Sequence, residues 1–274
     1  MSTDVVAPAP VVAVRVLPEE NGAEVRVDGP ADLRAVAREL GAVAALAALG
    51  GLLPVAALPG ECVLLPDDVP PPDGWARVGE VASDVGTLLV WRAPRAAVAP
   101  GSSAPDAEAA GPAAPAADEG DAARAADAAW RVGVAWVRTG LCERLTDRAV
   151  ERLRGRTVGG TATVNLPPVR LVLADAALAH LEAQALLGGA ASRDEAPAAG
   201  SLDRRSVVSG SSLVRVTAVL ERSSRAVHNL FGASGYVDGD AARLARTIDL
   251  LGHASGTLPG RASETPHGRE GQDA

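Results

Sequence analysis

Chemistry in this chain has few places to reside. The stretch Asn229-Leu-Phe-Gly-Ala-Ser-Gly-Tyr236 is followed by Arg243-Leu-Ala-Arg246 and by Ser255-Gly256-Thr257. It reads as a helix end, a Gly-rich turn, a second helix and a small-residue loop. Two readings of the turn stand open. Glycines at 232 and 235 would let backbone N–H groups approach a phosphate. A helix C-cap followed by a turn accounts for the same residues without a ligand. Four His without ligand spacing offer no metal site. Cys62 and Cys142, far apart and also without such spacing, read as two reduced thiols. Ser209-Gly-Ser-Ser212 lacks the spacing and the preceding strand of a nucleophile elbow. Arg204-Arg205 and Arg222/Arg225 read as solvated helix faces balanced by Asp203 and Glu221.

The composition narrows the function further. The 274 residues can hold one large or two small domains, and 47% of them are hydrophobic. Only 2% are aromatic, so Ala, Val and Leu must fill the core. Every basic side chain other than His is Arg. The net charge of −8 argues against a general nucleic-acid binder, whose affinity comes from neutralising phosphates. Met1-Ser-Thr-Asp lacks the basic start and apolar run of a signal peptide, and Gly50, Gly51 and Pro54 interrupt the apolar stretch 43–58. These features predict a cytoplasmic protein with no membrane and no nucleic-acid partner.

The elements that would position these residues follow from periodicity. Residues 11–16 and 23–27 alternate as strands around a turn at Glu19-Glu-Asn-Gly22. A helix is predicted from Pro30, with Leu33, Val36, Leu40, Val43 and Leu46 on its buried face and Gly50-Gly51 at its end. Residues 62–65 and 87–91 read as strands, with a Pro/Asp loop over 66–74. Residues 1–97 thus form a small α+β or β-rich unit, and 98–121 a linker too poor in apolar periodicity to repay its ordering. Over 122–257 four helices are predicted. The first, from Asp121 to about Gly155, carries Trp130, Val134, Val137, Leu141, Leu145, Ala149 and Leu153 on one stripe, with Arg138, Glu143, Asp147 and Glu151 opposite. After a loop to Pro168, the others run over about 168–187, 206–230 and 240–252. The third buries Leu213, Val216, Leu220, Val227 and Leu230, and the fourth Leu244, Ile248 and Leu251. Together they predict a mainly α protein with a C-terminal antiparallel four-helix bundle. A polar tail, 258–274, reads as disordered.

The C-terminal residues resemble the signature of flavin-dependent acyl-CoA dehydrogenases: Q-x-x-G-G-x-G-[YF], then R-L-x-R-D, then Y-E-G-T. Leu141-Cys-Glu-Arg-Leu-Thr-Asp147 and Arg156-Thr-Val-Gly-Gly160 fit, without gaps, that family's first bundle helix and its R-x-x-F-G loop. Val169, Leu171 and Leu173-Ala174-Asp175 fit its next helix. The likeness covers residues 121–257, and it implies FAD as cofactor and oxidation of the CH–CH group of an acyl-CoA or acyl-carrier thioester. By resemblance, Arg156 would reach the flavin pyrophosphate of a neighbouring subunit, Asn229 would stand for a dinucleotide-holding Gln, and Gly232 and Gly235 would keep the phosphate turn. Thr257 would lie close to the flavin, and Arg131 would fall where the family has an Arg near the substrate.

The sequence also departs from the family pattern. Ser255 holds the place of the catalytic Glu, and Trp130 holds the alternative position for that base. Gly159 replaces the Phe of R-x-x-F-G, Pro167 a customary Gln, and Ala233 the second Gly of the pair. His253, with a suitable titration range, is either a substitute base or a surface His at a helix C-terminus. Three functions follow: a divergent acyl-CoA dehydrogenase-like flavoprotein; a non-catalytic subunit or pseudoenzyme that pairs, through its bundle, with a full-length homologue; or a helical interaction module. Each implies a homo- or hetero-oligomer.

Overall fold

The computed structural model describes residues 16–17, 24–25, 27, 29–53, 62–94, 117–189, 208–237 and 239–254. The chain is mainly helical, with a small antiparallel sheet in its N-terminal part. A two-residue hairpin, β1 (Val16–Leu17) with β2 (Glu24–Val25), is all that is described of the first predicted strands. Next come α1 (Pro30–Leu40) and α2 (Ala42–Leu52), then β3 (Cys62–Pro66), β4 (Ala76–Ala82) and β5 (Thr87–Arg92). The sheet order is β3-β5-β4, all antiparallel, with Val63 opposite Trp91 and Leu65 opposite Leu89. The linker expected over 98–121 lies outside the described residues up to 116, and its last part, 117–121, is helical instead; the tail from 258 also lies outside them.

The stripe from Leu33 to Leu46 predicts one helix; the structure has two. The break falls at Gly41, with φ +92°, a conformation that side chains with a Cβ rarely adopt. Asp84 and Val85, in the turn before β5, sit 3.4 Å from where a Cβ on Gly41 would lie. Gly50-Gly51 does not end the second helix, which runs on to Leu52. β4 was not legible as a strand. It is an edge strand, exposed almost throughout, so nothing imposes alternation on it.

The long helix α3 (Ala117–Arg154) organises the molecule. Its predicted stripe is buried in full, from Trp130 at 2% exposure to Leu141 and Leu145 at 0%. Two glycines set how closely its neighbours approach. A Cβ on Gly133 would lie 2.4 Å from a methyl of Leu49 on α2, and one on Gly140 would lie 2.1 Å from the carbonyl oxygen of Arg34 on α1. Helix propensity alone favours Ala at both sites by about 1 kcal/mol. Packing has overruled it.

After a loop, α4 (Pro167–Gly188), α5 (Gly210–Asn229) and α6 (Asp240–Ala254) complete the helical part. α3 packs against all of them, and α5 against α4 and α6. α5 begins at Gly210 rather than at 206, because Ser209 is its N-cap: Ser209 Oγ accepts the amide of Ser212 at 3.1 Å. By length and composition α4 is the one helix among the described residues long and apolar enough to cross a membrane. One side of it is committed to its neighbours through Ala176, His180, Ala183 and Leu187.

The polar face predicted on α3 is largely not a solvent face. α1 lies along it. Arg34 Nη1 donates to both oxygens of Glu143 at 2.8 and 3.0 Å, and Arg38 Nε to Asp147 at 2.8 Å. Arg138, expected on the same side, is 2% exposed and turned toward α6, where its Nε donates to the carbonyl of Ile248 at 3.2 Å. Only Glu151 remains fully outward.

Candidate functional site

Helix direction brings two of the predicted segments to one end of the molecule. Gln184 on α4 donates to Glu143 on α3 at 2.8 Å, and residues 155–166 join the end of α3 to the start of α4, so α4 runs back along α3. His180 meets Ser223 at 3.2 Å and Glu182 meets Arg215 at 2.6 Å; positions rise on α4 and fall on α5. The ends of α3 and α5 therefore both lie where α4 begins. Arg156 and the turn after Asn229 share that end.

Arg156 is presented by a hairpin not visible as strands in the sequence, β6 (Thr157–Val158) with β7 (Thr161–Ala162). Gly159 and Gly160, at φ +59° and +78°, make the two-residue connection that matches strand twist. That conformation explains Gly where the family pattern has Phe. The carbonyl of Arg156 accepts the amide and the hydroxyl of Thr163 at 2.7 and 2.9 Å, which fixes its backbone while leaving the residue exposed. Arg148, Glu151, Arg152, Gly155, Arg156 and Thr157 line an open depression of about 780 Å³. Arg148 is already paired with Asp84 at 3.0 Å, which leaves the guanidiniums of Arg152 and Arg156 against the Glu151 carboxylate, and two such planar donors suit an anion with several oxygens. Arg148 and Arg152 went unnoticed in the sequence; their signal was the spacing of four that ends in Arg156.

The turn is closed upon itself more than its glycines suggest. Residues Gly232–Gly235 form a short 3-10 turn. Gly232, at φ +60°, is exposed, and nothing lies within 4 Å of where its Cβ would be. Gly235 is buried instead: a Cβ there would come 2.9 Å from Phe231 and 3.1 Å from the ring of His228. Its carbonyl accepts from His228 Nε2 at 2.7 Å, and Asn229 Oδ1 accepts from the Tyr236 hydroxyl at 2.9 Å. The His228 and Tyr236 rings stack obliquely with centroids 4.9 Å apart. Gly235 thus serves packing, while Gly232 and the amide nitrogen of Asn229 remain open to an anion.

Neither base position supplies a carboxylate among the described residues. Trp130 lies in the core shared by α2 and α3, at 2% exposure. Ser255 and Thr257 lie outside the described residues; His253, in the last turn of α6, is exposed. Arg131 is turned to its own helix, with Nη2 2.9 Å from Asp127. The Cys142 thiol is pushed up to about 12 by burial and is inert at neutral pH. Among the described residues no group of His, Cys, Asp and Glu could hold a metal.

A buried polar cluster between α1, α3, α4 and α5 was not expected. Burial raises the Glu143 carboxyl, against the opposing pull of Arg34 and Arg38. Burial lowers His180 to about 4, so at neutral pH it is an uncharged partner of Ser223. Periodicity could not reveal this, because it reads a lone polar residue on an apolar stripe as a defect.

Against the diphosphate of a dinucleotide, the exposed Arg156, the open Gly232 and the Asn229 amide fit in charge and access. That fit does not extend to Gly235. A family model described as "Acyl-CoA dehydrogenase, C-terminal domain" matches residues 121–258. Two solved structures are similar. One is an electron transferring flavoprotein of Acidaminococcus fermentans, connected with flavin-based electron bifurcation. It has 18% identity and a TM-score of 0.45 over 65% of this chain and 44% of that one. The other is butyryl-CoA dehydrogenase from Megasphaera elsdenii, with 17% identity and a TM-score of 0.44 over 68% and 45%. The chain thus spans less than half the length of either. No curated protein matches it.

Proposed function

The chain belongs to the acyl-CoA dehydrogenase family through its C-terminal domain, and on that premise we propose that it holds FAD without itself taking the proton from an acyl thioester. The observation that carries this reading is Trp130. The alternative base position is filled by an indole at 2% exposure, and the usual one by Ser255. A serine hydroxyl does not itself titrate near neutral pH, as removal of an α-proton requires. Bound FAD supplies the hydride acceptor for oxidation of a CH–CH group. In this chain Arg156 would meet the diphosphate with two N–H donors, supported by the positive charge of Arg152. Asn229 would add one amide donor, and Gly232 its backbone N–H. The missing base is then a partner's contribution, which makes the chain a non-catalytic subunit alongside a full-length homologue. The reading keeps it cytoplasmic and off membranes, in keeping with Asp175 and Glu182 on the outward side of α4.

The test is a visible spectrum of the purified chain with excess FAD, followed by addition of acyl-CoA, with and without a full-length acyl-CoA dehydrogenase. The expected result is flavin uptake, weakened at least tenfold by Arg156→Ala, and no bleaching by acyl-CoA with the chain alone. Bleaching by the isolated chain would restore the independent dehydrogenase. No uptake of flavin, alone or with the full-length enzyme, would leave a helical interaction module.

A further inference from the structure

One carboxylate oxygen behind the open depression carries two guanidiniums. Asp84 Oδ2 accepts from Arg144 Nε at 2.7 Å and lies 3.0 Å from Arg148 Nη2. The Asp84 side chain is fully buried, and those of Arg144 and Arg148 are 17% and 24% exposed. Two positive charges thus share one negative charge, largely away from water. A charge withdrawn from water is costly unless it is paired. The surplus falls on Arg148. Arg144 has the shorter contact, and its Nη1 is occupied by the carbonyls of Arg38 and Glu39 at 2.8 and 2.9 Å. Among the described residues Arg148 Nη1 is buried without a hydrogen-bond partner, so its present position leaves a donor unused.

Arg148 also lines the depression, beside Arg152 and Arg156. It therefore stands between the carboxylate behind it and any anion that enters in front. A turn toward the depression would leave Asp84 and Arg144 one to one, and would give the unused donor an acceptor. Asp84 is not free to follow. Its turn is closed by Ser83, whose amide donates to the carbonyl of Gly86 at 2.9 Å and whose hydroxyl donates to that of Val85 at 2.7 Å. The loss on turning is one contact, the longer of the two on that oxygen.

The number of charges decides which anion draws Arg148 out. Arg152 and Arg156 against Glu151 leave the depression one positive charge in excess, and Arg148 would add a second. A singly charged anion is already met by the first arrangement. A diphosphate carries more charge, on oxygens that a planar guanidinium meets in pairs, and it gains from the second. We propose that Arg148 is a reserve ligand of the anion site, held back by Asp84 and released to a diphosphate but not to a single phosphate. Asp84 then sets the selectivity of the site from behind it, and occupancy of the site loosens the turn at 83–86. The proposal rests on the anion site described under the proposed function and concerns its selectivity, not flavin itself.

The test is calorimetric titration of the full chain with inorganic pyrophosphate and, separately, inorganic phosphate. Asp84→Asn keeps the shape of the side chain and removes the competing charge. It should tighten pyrophosphate about fivefold and phosphate hardly at all. Arg148→Gln should lower the ratio of pyrophosphate to phosphate affinity, and in that background Asp84→Asn should gain nothing. A gain that persists without Arg148, or that is equal for the two anions, would be a general effect of the lost carboxylate and would overturn the proposal. So would an unaltered chain that binds no pyrophosphate. Should Asp84→Asn fail to fold, amide exchange in the unaltered chain decides: pyrophosphate, but not phosphate, should speed exchange over 83–86, and unchanged or slower exchange would overturn the proposal. Its fate is separable from that of the flavin reading. Pyrophosphate bound with this dependence on Asp84, but no FAD uptake, leaves the proposal standing and removes flavin; FAD uptake with no dependence on Asp84 does the reverse.

Discussion

The two sides of α3 are held by different physics. Toward α5 and α6 the contact is aliphatic: Leu141, Leu145, Leu220, Leu244, Ile248 and Leu251 are all buried to within 2%. Toward α1 and the sheet it is ionic and close. Glu143 holds Arg34 Nη1 between its two oxygens, Asp147 takes Arg38, and Asp84, whose side chain is fully buried, takes Arg144 at 2.7 Å and Arg148 at 3.0 Å. Arg144 also reaches the carbonyls of Arg38 and Glu39 at 2.8 and 2.9 Å, capping the end of α1. Hydrocarbon tolerates sliding, whereas a guanidinium N–H group held between two carboxylate oxygens fixes register. The difference suggests that the N-terminal part is placed on α3 in one defined position, while the C-terminal helices are held by bulk burial.

Breaking the close approach should hurt most. Gly140→Ala would press a methyl into the Arg34 carbonyl and force α1 off α3, at a cost of about 3 kcal/mol. Urea unfolding would show it, and a stabilised variant would mean that the two helices are not in register as described. Nearly as large is the pH dependence carried by His180, where the two sides meet. Its folded pKa is about 4 against an ordinary 6.5, so the unfolded chain binds the extra proton between those values. Stability should therefore rise with pH across that window, by roughly 3 kcal/mol. Glu143, raised by burial, has the opposite slope in the acid range and trims the effect. His180→Gln should remove the His180 contribution, as read by denaturation at a series of pH values.

The ionic side can be probed at graded depth. Asp84→Ala would leave Arg144 and Arg148 facing each other across a partly buried gap, and should cost about 2 kcal/mol, since both can relax toward water. A double-mutant cycle with Arg144→Ala should recover part of it. Arg38→Ala removes a pair whose side chains are 42% and 55% exposed, and should cost no more than about 0.5 kcal/mol. If Arg38→Ala proved as costly as Asp84→Ala, the contrast between buried and screened ion pairs would not hold here.

What could be read beforehand follows from what makes an element. The stripes of α3, α5 and α6 were legible because burial against one partner layer selects residues at helical spacing. The break at Gly41 was hidden because the apolar pattern continues through it; only a backbone angle separates α1 from α2. β4 and the β6–β7 hairpin were hidden because exposed strands need no alternation. At the candidate site, the family motifs led to Arg156 and Asn229, and the structure sets them at a common end. At Gly235 two readings stood open, since a glycine required for packing and one required for a ligand look identical in a sequence, and its burial against Phe231 and His228 supplies the packing reason. The polar residues of α3 carry a related ambiguity. A charged face signals water only when no complementary face exists elsewhere in the chain, and Arg34, Arg38 and Asp84 supply one.

Every residue of α3 from Gly133 to Glu143 is buried. A helix with no wet side in its middle cannot persist when either set of neighbours departs, because both losses expose the same turns. Heat should therefore dismantle the described core in one calorimetric transition, despite the Ala/Pro-rich stretch that interrupts its sequence. The family match begins at 121, yet a fragment beginning there would lose the layer that shields Gly140 and Glu143 and should melt well below the intact chain. Ancestry and cooperativity draw their borders in different places on this molecule.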